Sequence, residues 1–203
     1  SLRLRCPTAR GRRARRGGDR QGDRGRYGHV RWHSGGVEGH PAVRPPFKKV
    51  SSPNFTRGKD RKISCIVIHS TATSGLTSPL EWLTLPASKV SAHYLIDKDG
   101  SIYGLVDEKN IAYHAGESFW NGQPHVNNFS IGIELVNPND GFSEYPEEQL
   151  QACASLVVSI CLDFRIESKD VVGHCDIALG RKTDPAGFDW EEFRARIGKE
   201  GIV

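Results

Sequence analysis

The segment PEEQLQACASLVVSICLDF, residues 146–164, carries the longest helical period in the chain. Leu150, Cys153, Leu156, Val157, Ile160, Cys161 and Phe164 recur there largely at spacings of three and four, which gathers them on one helix face. Pro146 opens the segment, and Glu147 with Glu148 fill the first turn, where the helix dipole favours negative charge. A stripe that long has to be covered, and the surrounding sequence offers a sheet to cover it.

ISCIVIH (63–69) is β-branched and apolar for most of its length, as a buried strand is, and His69 closes it. Gly and Pro breaks follow, around a short helix expected at 79–85. AHYLIDKDGSIYGLV (92–106) has the pattern of a hairpin turning at Lys98-Asp99-Gly100. NIAYHA (110–115) predicts a short edge strand, and SIGIELV (130–136) alternates as a further strand. DWEEFRARI closes the fold as a second helix, with Asp189 as cap and Glu192 completing a capping-box-like pattern. The order predicts an α/β fold with a mixed central β-sheet flanked by helices.

Charge divides the chain in two. Residues 1–49 hold 14 Lys or Arg against 3 Asp or Glu, a net of +11, whereas residues 50–203 carry a net of −7. The first part is Arg- and Gly-rich with little apolar periodicity, so it is expected to be a basic extension, flexible or draped over a domain spanning 50–203. Such a tail suits contact with anionic polymers. Without zinc-finger spacing, a recognition helix or an aromatic platform, specific nucleic-acid binding is not expected. There is no signal-peptide pattern and no apolar run long enough to span a bilayer, which points to a cytoplasmic protein or one acting elsewhere after release. Five irregularly spaced cysteines point to reduced thiols, with Cys153 and Cys161 too far apart along a helix to bridge.

His69 and His174 each follow an apolar strand-like run, where side chains leave a sheet and face a cleft. Either could be an ordinary structural histidine, but with Asp184 ten residues past the second they form a permitted set for catalytic zinc, which takes three protein ligands and keeps one position open. Glu134 shares one strand face with Ser130 and Gly132, opposite Ile131, Ile133 and Leu135. That face is either exposed by the pleat or turned to the cleft, where a carboxylate could move a proton. Lys182 is either a surface lysine or a fixed positive charge for a developing oxyanion.

Five blocks in order, IVIHSTAT, VSAHYLIDKDGSIYGLV, IAYHAGES, NNFSIGIELVN and GHCDIALGRKTDPAGFDWEEF, together resemble the type 2 N-acetylmuramoyl-L-alanine amidases over about residues 51–197. The resemblance implies one Zn2+ per chain held by His69, His174 and Asp184, a cleft at the sheet ends, and Glu134 and Lys182 as catalytic residues. It also implies His114, Asn128 and Arg181 as cleft residues near the substrate. Ala92 stands before His93 where the phage and animal branches carry tyrosine, and Asp184 stands where they often carry cysteine, which is similar to the AmpD-like branch. His93 itself reads equally as structural. The implied reaction is zinc-dependent hydrolysis of the amide between N-acetylmuramic acid and L-alanine in peptidoglycan or muropeptides by a monomer. A non-catalytic peptidoglycan-recognition protein is the alternative. Leu179 and Ala186 depart from the family pattern, so a less rigid ligand loop is expected. The short 69–90 segment suggests a more open cleft, suited to polymeric wall.

Overall fold

The computed structural model describes residues 44–199. In chain order these form β1 (Lys48–Lys49), β2 (Phe55–Thr56), β3 (Cys65–Ser70), α1 (Thr77–Thr84), β4 (Tyr94–Ile96) and β5 (Ile102–Gly104). Next come β6 (Ile111–Ala112), β7 (Phe119–Trp120), β8 (Gln123–Pro124) and β9 (Ser130–Leu135). The chain continues through α2 (Glu147–Phe164), β10 (Val171–Gly173), α3 (His174–Ile177) and α4 (Trp190–Gly198).

Six strands make the central sheet in the order β1-β5-β4-β9-β3-β10. The β4-β9-β3-β10 core is parallel and the β4-β5 hairpin antiparallel, so the sheet is mixed as expected. β6 is no edge of this sheet. It pairs antiparallel with β2 in a separate ribbon, because the chain before β3 supplies a partner that local pattern does not reveal. β1 lies inside the span expected to be an extension, and it pairs with β5. Arg44 ahead of it is held by Glu108 and Asp163, each at 2.7 Å, so residues 44–49 belong to the folded body. Residues 1–43, which make up most of that basic extension, lie outside the described residues.

α2 lays Cys153, Leu156, Val157, Ile160 and Cys161 on the sheet, with Leu150 and Phe164 partly buried at the margins. The sheet answers with Ile66, Ile68, Ile96, Ile131, Ile133 and Leu135, all fully buried. Burying each Leu or Ile contributes about 1.5–3 kcal/mol relative to exposure. Gln149, also fully buried, pins the helix by donating Nε2 to the carbonyls of Ile96 (3.0 Å) and Val136 (3.2 Å). α4 joins the same layer and is capped by Asp189, whose carboxylate accepts from the Glu192 amide at 2.9 Å. The reciprocal half of the box is missing, since the Glu192 side chain pairs with Arg196 instead.

The pleat sends alternate residues to the opposite face, and there Cys65, Val67 and Val172 are covered by Ala115, Val126, Ile177 and Ala178. His69 and Glu134 emerge from this second face. Cys65, Cys153 and Cys161 are free, buried thiols. Among the described residues, no helix is long and apolar enough to cross a membrane.

Candidate metal centre

Parallel pairing places the candidate ligands. Cys65 to Ser70 of β3 run in register with Ser130 to Leu135 of β9, which sets His69 beside Glu134 on the same face. On the other side Gly173 of β10 pairs with Ile68, so His174, the first residue of α3, follows the strand next to His69. Asp184 arrives from the loop after α3, and its carbonyl accepts the Cys175 amide at 2.9 Å, tying that loop to α3. The looseness expected from Leu179 and Ala186 is countered by further bonds. Asn139 Oδ1 accepts the Ala186 amide at 2.7 Å, and the amides of Arg181 and Lys182 both donate to the Ala178 carbonyl.

His69, His174 and Asp184 are all buried. His69 Nδ1 and His174 Nδ1 lie 3.0 Å apart, and Asp184 Oδ2 sits 3.1 Å from His174 Nδ1 and 3.3 Å from His69 Nδ1. In a tetrahedral zinc site with bonds of about 2.0–2.1 Å, ligand atoms stand about 3.3–3.4 Å apart, close to the triangle seen here. The donor chemistry agrees. His174 Nε2 lies 3.1 Å from the Ala115 carbonyl, which can only accept, so the neutral ring carries its proton there and leaves a lone pair on Nδ1. That lone pair faces the Asp184 carboxylate, an arrangement that a cation between them resolves. The residues therefore fit a metal ion, and they form the one His/Cys/Asp/Glu cluster of this kind among the described residues.

Electrostatics follow from burial. Burial alone would raise the Asp184 pKa, but the His174 and His69 imidazoles beside it outweigh burial and hold the carboxyl well below the usual range. Burial lowers His69 to about 4 against the opposing pull of Asp184. Glu134 moves the other way, pushed up to about 8 by burial and then by the charge of Asp184, with Lys182 opposing. Its Oε2 is buried with no hydrogen-bond partner among the described residues. Lys182 is exposed at the mouth, yet its charge reaches both His69 and Glu134.

The remaining candidates divide. His114 is buried behind His69, its Nδ1 3.0 Å from His69 Nε2, the nitrogen opposite the one that faces Asp184. Arg181 donates to the Ala115 carbonyl at 2.9 Å, the same oxygen that His174 uses. Asn128 is exposed in the turn Val126–Phe129. Its neighbour Asn127 is the better integrated of the two, with Oδ1 accepting the amides of His114 (3.1 Å) and Ala115 (2.8 Å). No sequence signal separates these adjacent asparagines, since the difference is made by a loop 13 residues away. His93 is fully buried and structural in its contacts, accepting the Gly132 amide at Nδ1 (3.0 Å) and lying 3.2 Å from the Asn110 carbonyl at Nε2.

Comparison with known proteins agrees with this geometry. Residues 59–187 match the family model described as N-acetylmuramoyl-L-alanine amidase. The 1,6-anhydro-N-acetylmuramyl-L-alanine amidase AmpD of Escherichia coli is 42% identical over 113 residues, covering 55% of this chain and 61% of its own length. The chain thus spans about three fifths of that curated relative. A crystal structure of an AmpD selenomethionine derivative superimposes with a TM-score of 0.69 at 31% identity, covering 78% of this chain and 98% of that one. The E. coli amidase AmiD, solved with the substrate anhydro-N-acetylmuramic acid-L-Ala-D-gamma-Glu-L-Lys, gives a TM-score of 0.63 at 35% identity, over 70% of this chain and 58% of its own.

Proposed function

Because the chain belongs to the N-acetylmuramoyl-L-alanine amidase family, in its AmpD-like branch, we propose that it hydrolyses the amide joining the lactyl group of N-acetylmuramic acid to L-alanine in muropeptides, with a single zinc ion held by His69, His174 and Asp184. The observation that carries this is the convergence of two imidazole nitrogens and one carboxylate oxygen beside a buried, unpartnered Glu134 oxygen. A zinc ion there would supply Lewis acidity, lowering the pKa of water and polarising the scissile carbonyl.

The protein's own groups do the rest. Glu134 takes a proton from the attacking water and returns it to the departing amine. Burial raises the Glu134 pKa and a cation beside it would pull the other way, so the two influences oppose each other at the group that has to take and return the proton. Lys182 brings a fixed positive charge to the oxyanion that develops as the carbonyl becomes tetrahedral. Arg181, held by its bond to the Ala115 carbonyl at 2.9 Å, would offer its remaining guanidinium donors to the muramoyl peptide.

AmpD is named for the 1,6-anhydro form and AmiD is solved with an anhydromuramoyl peptide, which supports anhydromuropeptides as the substrate class. The test is release of free L-alanyl peptide from an anhydromuramoyl peptide by protein loaded with zinc, with intact sacculi in a parallel reaction. Glu134→Ala should keep one zinc per chain and lose turnover by about 10²- to 10⁴-fold. Parental turnover in Glu134→Ala removes the base assigned here. Substrate binding without any cleavage by the zinc-loaded parent would instead favour a recognition protein.

A further inference from the structure

Behind His69 runs a chain of hydrogen bonds that no catalytic step uses. It starts at the Val126 carbonyl, which can only accept. Ser130 Oγ lies 2.7 Å from that oxygen, so the one hydroxyl proton is committed there. Toward His114 Nε2, 3.1 Å away, Ser130 then offers only lone pairs, and the imidazole nitrogen must be the donor. The His114 ring is buried and its partners are a hydroxyl and an imidazole, neither of them an anion, so the neutral ring is the state that burial favours. Its Nδ1 therefore carries a lone pair and takes the Nε2 proton of His69 at 3.0 Å. His69 is left with a bare Nδ1, the atom that faces His174 and Asp184.

We propose that His114, locked by Ser130, is a positioning residue that fixes the tautomer of His69 so that its Nδ1 lone pair faces the metal position. The surroundings hold His114 to one place. Asn127 anchors its backbone, its ring meets His69 edge to face at 5.1 Å between centroids, and Gly132 lies so close that a Cβ would come within 2.4 Å of the His114 Cγ. A ring that cannot swing away, with its own proton dictated by Ser130, passes that direction on to the ligand. Partners of this kind behind metal-bound histidines are worth about 10- to 100-fold in metal affinity.

The proposal rests on the zinc assignment of the previous subsection, and the measurements separate the two. Zinc affinity of the parent protein, read by competition with a chromophoric chelator, tests the assignment. The tautomer of His69, read from ring nitrogen NMR spectra of the metal-free parent, tests the proposal whether or not zinc binds. His69 should be protonated at Nε2, and Ser130→Ala should convert its spectrum to a mixture of tautomers. Zinc should bind His114→Phe about 10- to 100-fold more weakly than the parent. Ser130→Ala should weaken binding by less, and Ser130→Thr, which keeps the hydroxyl, should restore it. His69 protonated at Nδ1 in the parent, or parental zinc affinity in folded His114→Phe and Ser130→Ala, overturns the proposal. Should His114→Phe not fold, Ser130→Ala and the parental spectrum decide.

Discussion

Replacing Gly132 with alanine adds one methyl group to the centre of β9, on the face that carries the site. Its Cβ would stand 2.4, 2.6 and 2.7 Å from three atoms of the His114 ring, where ordinary contact is 3.4–4 Å. The ring must therefore retreat by about 1 Å, in a core where overpacking of this kind costs about 1–3 kcal/mol. It cannot retreat freely, because both nitrogens are hydrogen-bonded, to His69 and to Ser130 at 3.0 and 3.1 Å. Losing those bonds costs about 1 kcal/mol each. Alanine returns about 0.5–1 kcal/mol, since glycine in a strand is entropically unfavourable. The expected loss is about 2–4 kcal/mol of folding stability, read from urea unfolding with an unchanged m-value. A variant within about 0.5 kcal/mol of the parent would refute the close approach. In a His114→Ala background the same methyl should cost far less, and additive losses would show that the two residues do not meet.

Three further outcomes can be checked with similar measurements. Gln149→Leu leaves the Val136 carbonyl without its side-chain donor, while the Ile96 carbonyl keeps the Val136 amide, and unfolding should show a loss of about 1 kcal/mol or more; an unchanged midpoint would mean the Val136 carbonyl finds another partner. Burial, reinforced by the Arg61 charge, holds His93 near a pKa of about 3. Its neutral native form binds no proton while the unfolded chain does below about 6.5, so the stability it contributes is complete above that pH and falls as pH drops toward 3. Between pH 7 and 5 the loss from this group is about 2 kcal/mol, and His93→Gln should flatten the profile by that amount; equal slopes in the two proteins would contradict a neutral buried ring. Stripping zinc with a strong chelator should abolish turnover and lower the melting temperature, both restored by stoichiometric zinc, and a melting curve indifferent to zinc would argue that the three ligands do not bind it.

Legibility in the sequence followed the range of the forces involved. The α2 stripe was readable because Cys153, Leu156, Val157, Ile160 and Cys161 repeat with the helix, and all five are buried where that period puts them. Glu134 was readable as far as its parity with Ser130 and Gly132, and parallel pairing with β3 then set it beside His69 on the same face. His69, His174 and Asp184 stood out because each leaves a strand end or a loop with chemistry to spare, and they do converge. What sequence did not show depends on partners distant along the chain. The β2-β6 ribbon, the anchoring of Arg44 on Glu108 and Asp163, and the choice of Asn127 over Asn128 as the loop anchor all arise from such pairings. A local pattern carries no record of them. Gln149 is similar, for a glutamine within an apolar helix face looks like an error until the two carbonyls it serves are in place.

Among the described residues β10 is the last strand of the sheet, with β3 as its single neighbour. His69 and His174 meet across that seam although 105 residues separate them in the chain. A cation gripped by both would act as a rivet on the outermost seam, closing a long loop of polypeptide at the point where a sheet is easiest to peel. Loading the ion and sealing the edge would be one event, so molecules lacking it would be inactive and also the first to open to proteases.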